Sequence, residues 1–184
     1  MTLVHDILKQ IPRLGQPQRK FLATLFVTIL VLRGRVNFRT LRRSCDDAER
    51  PIARQFREPF DWPDFQQRVL MTALDPHSAL ISAHDASFIP KSGKQPCGLG
   101  HFFNGCASRA ERGLEMSTLA VVEVTRRCAL TLAATPTPPG EDATPAEPEA
   151  TRVDFSTQQL RAQRHRLPPG VTSHCVDGSS AKQQ

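Results

Sequence analysis

LISAHDASFI (residues 80–89), LEMSTLAVVEV (114–124), CALTLAAT (128–135) and VTSHCV (171–176) are the four segments on which the fold turns. The first alternates apolar and polar residues imperfectly, and the second is longer and strongly apolar, with Leu119, Val121, Val122 and Val124. Both patterns follow the two-residue period of a strand rather than the 3.6-residue period of a helix. Only Thr125, Arg126 and Arg127 separate the second segment from the third, so these two are expected to pair as an antiparallel hairpin. Residues 135–150 (TPTPPGEDATPAEPEA) are rich in proline and acid and read as a solvated loop. A helix is expected over Val153–Arg166, anchored by Phe155 and Leu160. Pro168, Pro169 and Gly170 end it, and the fourth strand then delivers Asp177 at its C-terminal end.

Upstream the period is helical. Leu3, Val4, Ile7, Leu8 and Ile11 predict a first helix that Pro12 stops. Pro17 opens a second through Leu32, apolar nearly all round and therefore expected at the core of a small bundle. Asn37 is placed to cap a third helix holding Phe38 and Leu41, and a fourth should carry Ile52, Ala53 and Phe56, with Pro51 in or near its first turn. Asp61 before Trp62-Pro63 caps a fifth, whose apolar side is Phe65, Val69, Leu70 and Ala73. Two short arginine-rich helices across a tight turn fit helix-turn-helix geometry, although ordinary bundles contain such pairs too. The expected class is α+β: a helical, helix-turn-helix-like domain over residues 1–75, then a mixed-sheet domain over 78–184.

Composition agrees with a packed chain. Hydrophobic residues make up 39% and charged residues 23% of the 184, which argues against wholesale disorder. The net charge of +6 favours a polyanionic partner. That surplus is uneven, since residues 1–75 hold 13 Lys/Arg against 8 Asp/Glu. Arg33, Arg35, Arg39, Arg42, Arg43, Arg50, Arg54 and Arg57 fall in one short stretch, opposed by Asp46, Asp47 and Glu49. Contact with double-stranded DNA is one reading, a solvated helix face the other. Five cysteines without a C-x-x-C pair point to reduced thiols in a cytoplasm. Cys97, His101 and Cys106 have the wrong number and spacing for a closed zinc site. The apolar run Phe21–Leu32 is too short to span a bilayer, and no cleavage site follows it. No nucleotide cofactor is implied, because Gly93-Lys94 precedes Gln95 and lacks the upstream glycine of a phosphate-binding loop.

The element order strand, hairpin, helix, strand is the opening of an RNase-H-like fold, in which the first and fourth strands lie side by side. That topology would bring Asp85 and Asp177 together, 92 positions apart in the sequence. Paired carboxylates hold divalent cations such as Mg²⁺ or Mn²⁺ for phosphoryl transfer. The run DASFIPKSGKQPCGLGHFFNGCASRAERGLEMSTLAVVEV (85–124) resembles the segment around the first catalytic aspartate of DDE transposases of bacterial insertion sequences. The likeness extends upstream through FREPFDWPDF and downstream through TPPGEDATPAEPEATRVDF to HCVDG. It implies an N-terminal DNA-binding region and an RNase-H-like core that cuts element ends and joins them to target DNA in a bacterial cytoplasm. Asp85 and Asp177 match the first two catalytic acids. The third, a glutamate, has no counterpart in the seven residues after Asp177, so the expectation is a C-terminally truncated, inactive copy.

Around that pair, Lys91 and Lys94 are candidates for DNA phosphate contact beside Arg39, Arg42, Arg43, Arg50 and Arg54, with solvated lysines as the equal alternative. His84 should face away from Asp85 and pack. Glu111 and Glu115 have family counterparts and read as structural. Ser179 and Ser180, where the family pattern implies aromatic residues, together with Glu123 and Pro51, read as drift. A DNA-binding remnant that competes with intact transposase, alone or as a homodimer, is the leading alternative. An unstable product of a decayed gene is another, and a membrane-associated helical protein built on Phe21–Leu32 a third.

Overall fold

The computed structural model describes residues 2–12, 14–33, 37, 40–41, 43, 54–91, 98–139 and 152–176. Among these the chain is α+β, with four α-helices and a mixed five-stranded sheet. It divides into two compact units, Met1–Val69 and Leu70–Gln184.

In the first unit α1 (Thr2–Gln10) and α2 (Gln16–Val31) pack on each other across a short connection, and α3 (Trp62–Ala73) begins here. The spacing of Ile7, Leu8 and Ile11 puts one stripe of α1 into a core with Leu14, Leu22, Leu25, Leu41 and Phe65. Arg19 ties the two helices together: its guanidinium donates to the carbonyl of Leu8 (3.1 Å), in the last turn of α1 where no helical partner follows, and to that of Leu14 (3.2 Å) in the connection. Phe26 stacks on Phe65 with ring centroids 5.0 Å apart, and Trp62 meets Phe26 and Phe60 edge-on. α2 departs from expectation at its C-terminal end. Leu22, Leu25 and Thr28 are buried, but Ile29, Leu30 and Val31 are 41%, 85% and 74% exposed. A helix apolar on every side has more apolar surface than one neighbouring stripe can cover.

Asn37 behaves as a cap, accepting the Thr40 N–H at 2.9 Å while its own N–H donates to the Thr40 hydroxyl at 3.0 Å. Thr40, Leu41 and Arg43 are helical, as are Arg54 and Gln55. Phe38, Pro51, Ile52 and Ala53 lie outside the described residues. Asp61 caps α3 by accepting the Asp64 N–H at 3.0 Å, and Asp64 pairs with Arg68 one turn on at 3.0 Å.

The second unit is built on β1 (Leu80–Pro90), β2 (Gly100–Asn104), β3 (Arg109–Glu123), β4 (Cys128–Pro136) and β5 (Val171–Val176), with α4 (Arg152–Gln163) and a 3₁₀ turn (Arg164–Arg166) before β5. β3 is antiparallel to β1 along its length, while its other edge takes β2 at Arg109–Gly113 and β4 at Met116–Glu123. β5 lies parallel to β1 on the remaining side. The expected β3–β4 hairpin forms, its turn closed by Arg127 at φ 52°. β2 was not expected, and β3 starts five residues before Leu114. Glu-Arg-Gly at 111–113 carries no apolar alternation, and the pairing rests instead on the turn at Asn104–Ser108, where Ser108 takes φ 51°. Asn104 Nδ2 and Arg109 both donate to Glu111, and the Asn104 bond, then Arg109, holds its carboxyl below the usual carboxylate range.

Strand alternation makes two faces. Leu80, Ser82 and His84 of β1 share one with Glu115, Ser117, Leu119, Val121 and Glu123 of β3, all buried. Leu70 of α3, Leu74 just after it, Leu132 of β4 and Leu160 of α4 complete that core. Leu70, Leu119, Val121 and Leu132 are fully buried, each contributing about 1.5–3 kcal/mol, so apolar burial dominates the stability of this layer. Glu123, read from the sequence as drift, is instead a structural group. Completely buried, it accepts the Ser78 hydroxyl at 3.0 Å and lies 3.5 Å from the Asp75 N–H and from Arg126 Nη1, pinning the turn between α3 and β1.

Candidate functional site

Asp85 follows directly from the strand period. Its neighbours His84 and Ala86 occupy the face that α4 covers, so its carboxylate stands on the other face, exposed, beside Thr118 of β3 in register. The Ser87 hydroxyl, two residues along on the same face, donates to Asp85 Oδ2 at 3.1 Å. Among the described residues Asp85 makes no ion pair, leaving its carboxylate oxygens available to a cation.

β5 runs beside this position. Ala83 is level with Cys175 and His84 with Val176, so each strand reaches, at its next residue in the sequence, an aspartate. Asp177 itself lies outside the described residues, as do Lys94, Arg39, Arg42 and Arg50, and also Ser179 and Ser180. Of the other expected contact residues, Lys91 is exposed just past the end of β1, and Arg43 and Arg54 are exposed on helical segments of the first unit. Cys97 is outside the described residues, and Cys106 is exposed. Among the described residues no group of three or more His, Cys, Asp or Glu side chains could hold a metal ion.

Behind Asp85, on the covered face, sits a polar cluster. His84, Ser117 and Gln159 are 4%, 1% and 7% exposed. Gln159 reaches from α4 and donates through Nε2 to the Ser117 carbonyl and the Thr135 hydroxyl, both at 3.2 Å. Those two bonds orient its amide, so Oε1 faces His84 Nε2 at 2.9 Å and also accepts the Ser117 hydroxyl. An acceptor at that distance requires Nε2 to carry a proton, and Nε2 also lies 2.6 Å from Ser117 Oγ, which can share that proton as a second acceptor. His84 therefore packs, as its position next to Asp85 implies, and the packing is polar. Alternation alone shows that a histidine is buried here and needs partners. It does not reveal Gln159, because α4 has no strong apolar stripe to mark its inner face.

A second bond joins the strands themselves. Ser82 Oγ lies 2.8 Å from His174 Nδ1 and 3.3 Å from the Ser173 carbonyl, linking β1 to β5 by side chains as well as by the ladder. Desolvation of the His174 ring, then its proximity to His84, lowers its pKa below the ordinary histidine value. These bonds add to the ladder that sets the register of β5 on β1.

Among the described residues no helix is long and apolar enough to cross a membrane. No protein-family model matches the chain, and no curated protein matches it either.

Proposed function

We propose that this chain carries the first two acids of a DNA transposase of the three-carboxylate class on an RNase-H-like core, with Asp85 and Asp177 as its metal-holding pair. One observation carries the reading: in the strand order β4-β3-β1-β5, β5 is parallel to β1 with Val176 level with His84, and in the sequence each of these two strands continues into an aspartate. The chemistry of the donors fits Mg²⁺ or Mn²⁺, since carboxylate oxygens suit hard cations and Asp85 has no competing cation among the described residues. When bound, such ions activate an attacking oxygen and stabilise a leaving one. The residues of this chain hold and orient. Asp85 presents its oxygens on the open face, Ser87 fixes one of them by donating to it, and Lys91 stands past the end of the strand where a phosphate could approach. The arginine-rich segment of the first unit supplies sequence-independent contact to duplex DNA, with Arg43 and Arg54 exposed for it.

Mn²⁺ titration followed by NMR tests this without relying on turnover. Paramagnetic broadening should centre on residues 84–86 of β1 and 174–176 of β5, and Asp85→Asn or Asp177→Asn should each remove it. Broadening that ignores both substitutions would refute the assignment.

A further inference from the structure

We infer that the tip formed by the end of α4 and the following 3₁₀ turn is a contact surface for the phosphodiester backbone of a nucleic acid, separate from the arginine-rich segment of the first unit. The sequence from Phe155 to Val176 contains no Asp or Glu, yet holds Arg161, Arg164, His165 and Arg166 within six positions. Arg161, Arg164 and His165 are exposed, and among the described residues none of the three is in an ion pair. Some basic groups elsewhere in the fold do meet acids, as in Arg68 with Asp64, Arg109 with Glu111 and Arg126 with Glu123.

A helix C-terminus attracts cations through its dipole, which accounts for one basic residue worth a few tenths of a kcal/mol. It does not account for four within six positions that continue past the last α-helical residue into the 3₁₀ turn. Arg161 and Arg164 stand three positions apart where the α-helix passes into the 3₁₀ turn, and His165 follows directly, so the basic groups are concentrated at one end of the element. Guanidinium groups suit phosphate because their planar fork donates two parallel hydrogen bonds to one phosphate group. The tip is also remote in register from Asp85. Leu167 to Gly170 return the chain to the Leu80 end of β1, and α4 lies on the face opposite the aspartate.

The test uses the full chain and fluorescence anisotropy with a labelled duplex, a single-stranded RNA and a polyglutamate competitor, over a range of salt. Each phosphate contact contributes about −0.9 to the slope of log affinity against log salt, so Arg161→Ala/Arg164→Ala should make that slope shallower by about 1.8. Over a fourfold rise in salt the lost contacts correspond to about 12-fold less salt-induced weakening. Arg161→Lys/Arg164→Lys keeps the charge and should keep the slope, with circular dichroism establishing that both variants fold. A slope shallower by about 1.8 on the duplex and by about 1.4 on the single-stranded RNA supports a backbone contact. An unchanged slope in the alanine variant, no nucleic-acid binding by the parent chain, or displacement by polyglutamate at equal charge would each overturn the inference.

Discussion

Removing both partners of the His84 imidazole should cost far more than the separate removals suggest. In Gln159→Leu the His84 Nε2–H keeps Ser117 Oγ, 2.6 Å away, and the main loss is the acceptor for the Ser117 hydroxyl. One net hydrogen bond is worth about 1 kcal/mol, and the Thr135 hydroxyl, being exposed, is resolvated by water. In Ser117→Ala the same N–H keeps Gln159 Oε1 at 2.9 Å, and the expected cost is again about 1 kcal/mol. The double variant leaves the proton facing two hydrocarbon side chains at a site 4% exposed. Orphaning a buried donor costs about 1–3 kcal/mol, so the pair should be destabilised by about 4 kcal/mol, with about 2 kcal/mol of that, roughly 30-fold in an opening equilibrium, as coupling. Amide hydrogen exchange in β1 and β3 is the appropriate assay, because the single tryptophan, Trp62, reports on the first unit. Costs that add to within about 0.5 kcal/mol would refute the shared-partner arrangement.

Three further outcomes follow from the same layer. Glu123→Ala should destabilise the second unit by about 3 kcal/mol, since it removes a buried carboxylate and strands the Ser78 and Asp75 donors, and urea-dependent exchange in β3 would show it. Gly113→Ala should cost about 1–3 kcal/mol by the same assay: its Cβ would lie 2.5 Å from Phe88 Cε2, which can swing, and 2.6 Å from the Ile89 carbonyl oxygen, which cannot. His174 has a folded-state pKa below its unfolded value, so its contribution is complete above about pH 6.5 and is lost as pH falls through the lowered folded value. Exchange protection in β5 should decline across that window, and His174→Asn should flatten the profile.

The sequence made the sheet readable where side chains alternate. The segment 80–89 and the hairpin from Leu114 to Thr135 carry the two-residue period because one face is buried and the other open, and the same alternation separates His84 from Asp85. It failed where pairing rests on a turn instead: β2 and the Glu-Arg-Gly start of β3 are held by the Asn104–Ser108 turn, with no apolar pattern to announce it. Hydropathy also misled at Ile29–Val31, since an apolar residue is buried only if a neighbour covers it. Glu123 and Gln159 share one cause of illegibility. Each is a polar residue whose partners come from distant parts of the chain, 45 positions away for Ser78 and 75 for His84, and no local period encodes such a meeting.

The most direct test of the aspartate pair is thiol cross-linking. Asp85→Cys and Asp177→Cys, introduced together after the five native cysteines are replaced by serine, should be bridged within one molecule by a short bifunctional thiol reagent as readily in dilute solution as in concentrated. Moving the first cysteine to position 84, on the opposite face of β1, should abolish the bridge. Bridging that is equally efficient from 84 and 85, or absent from both, would contradict the parallel β1–β5 register as the frame of a shared carboxylate site.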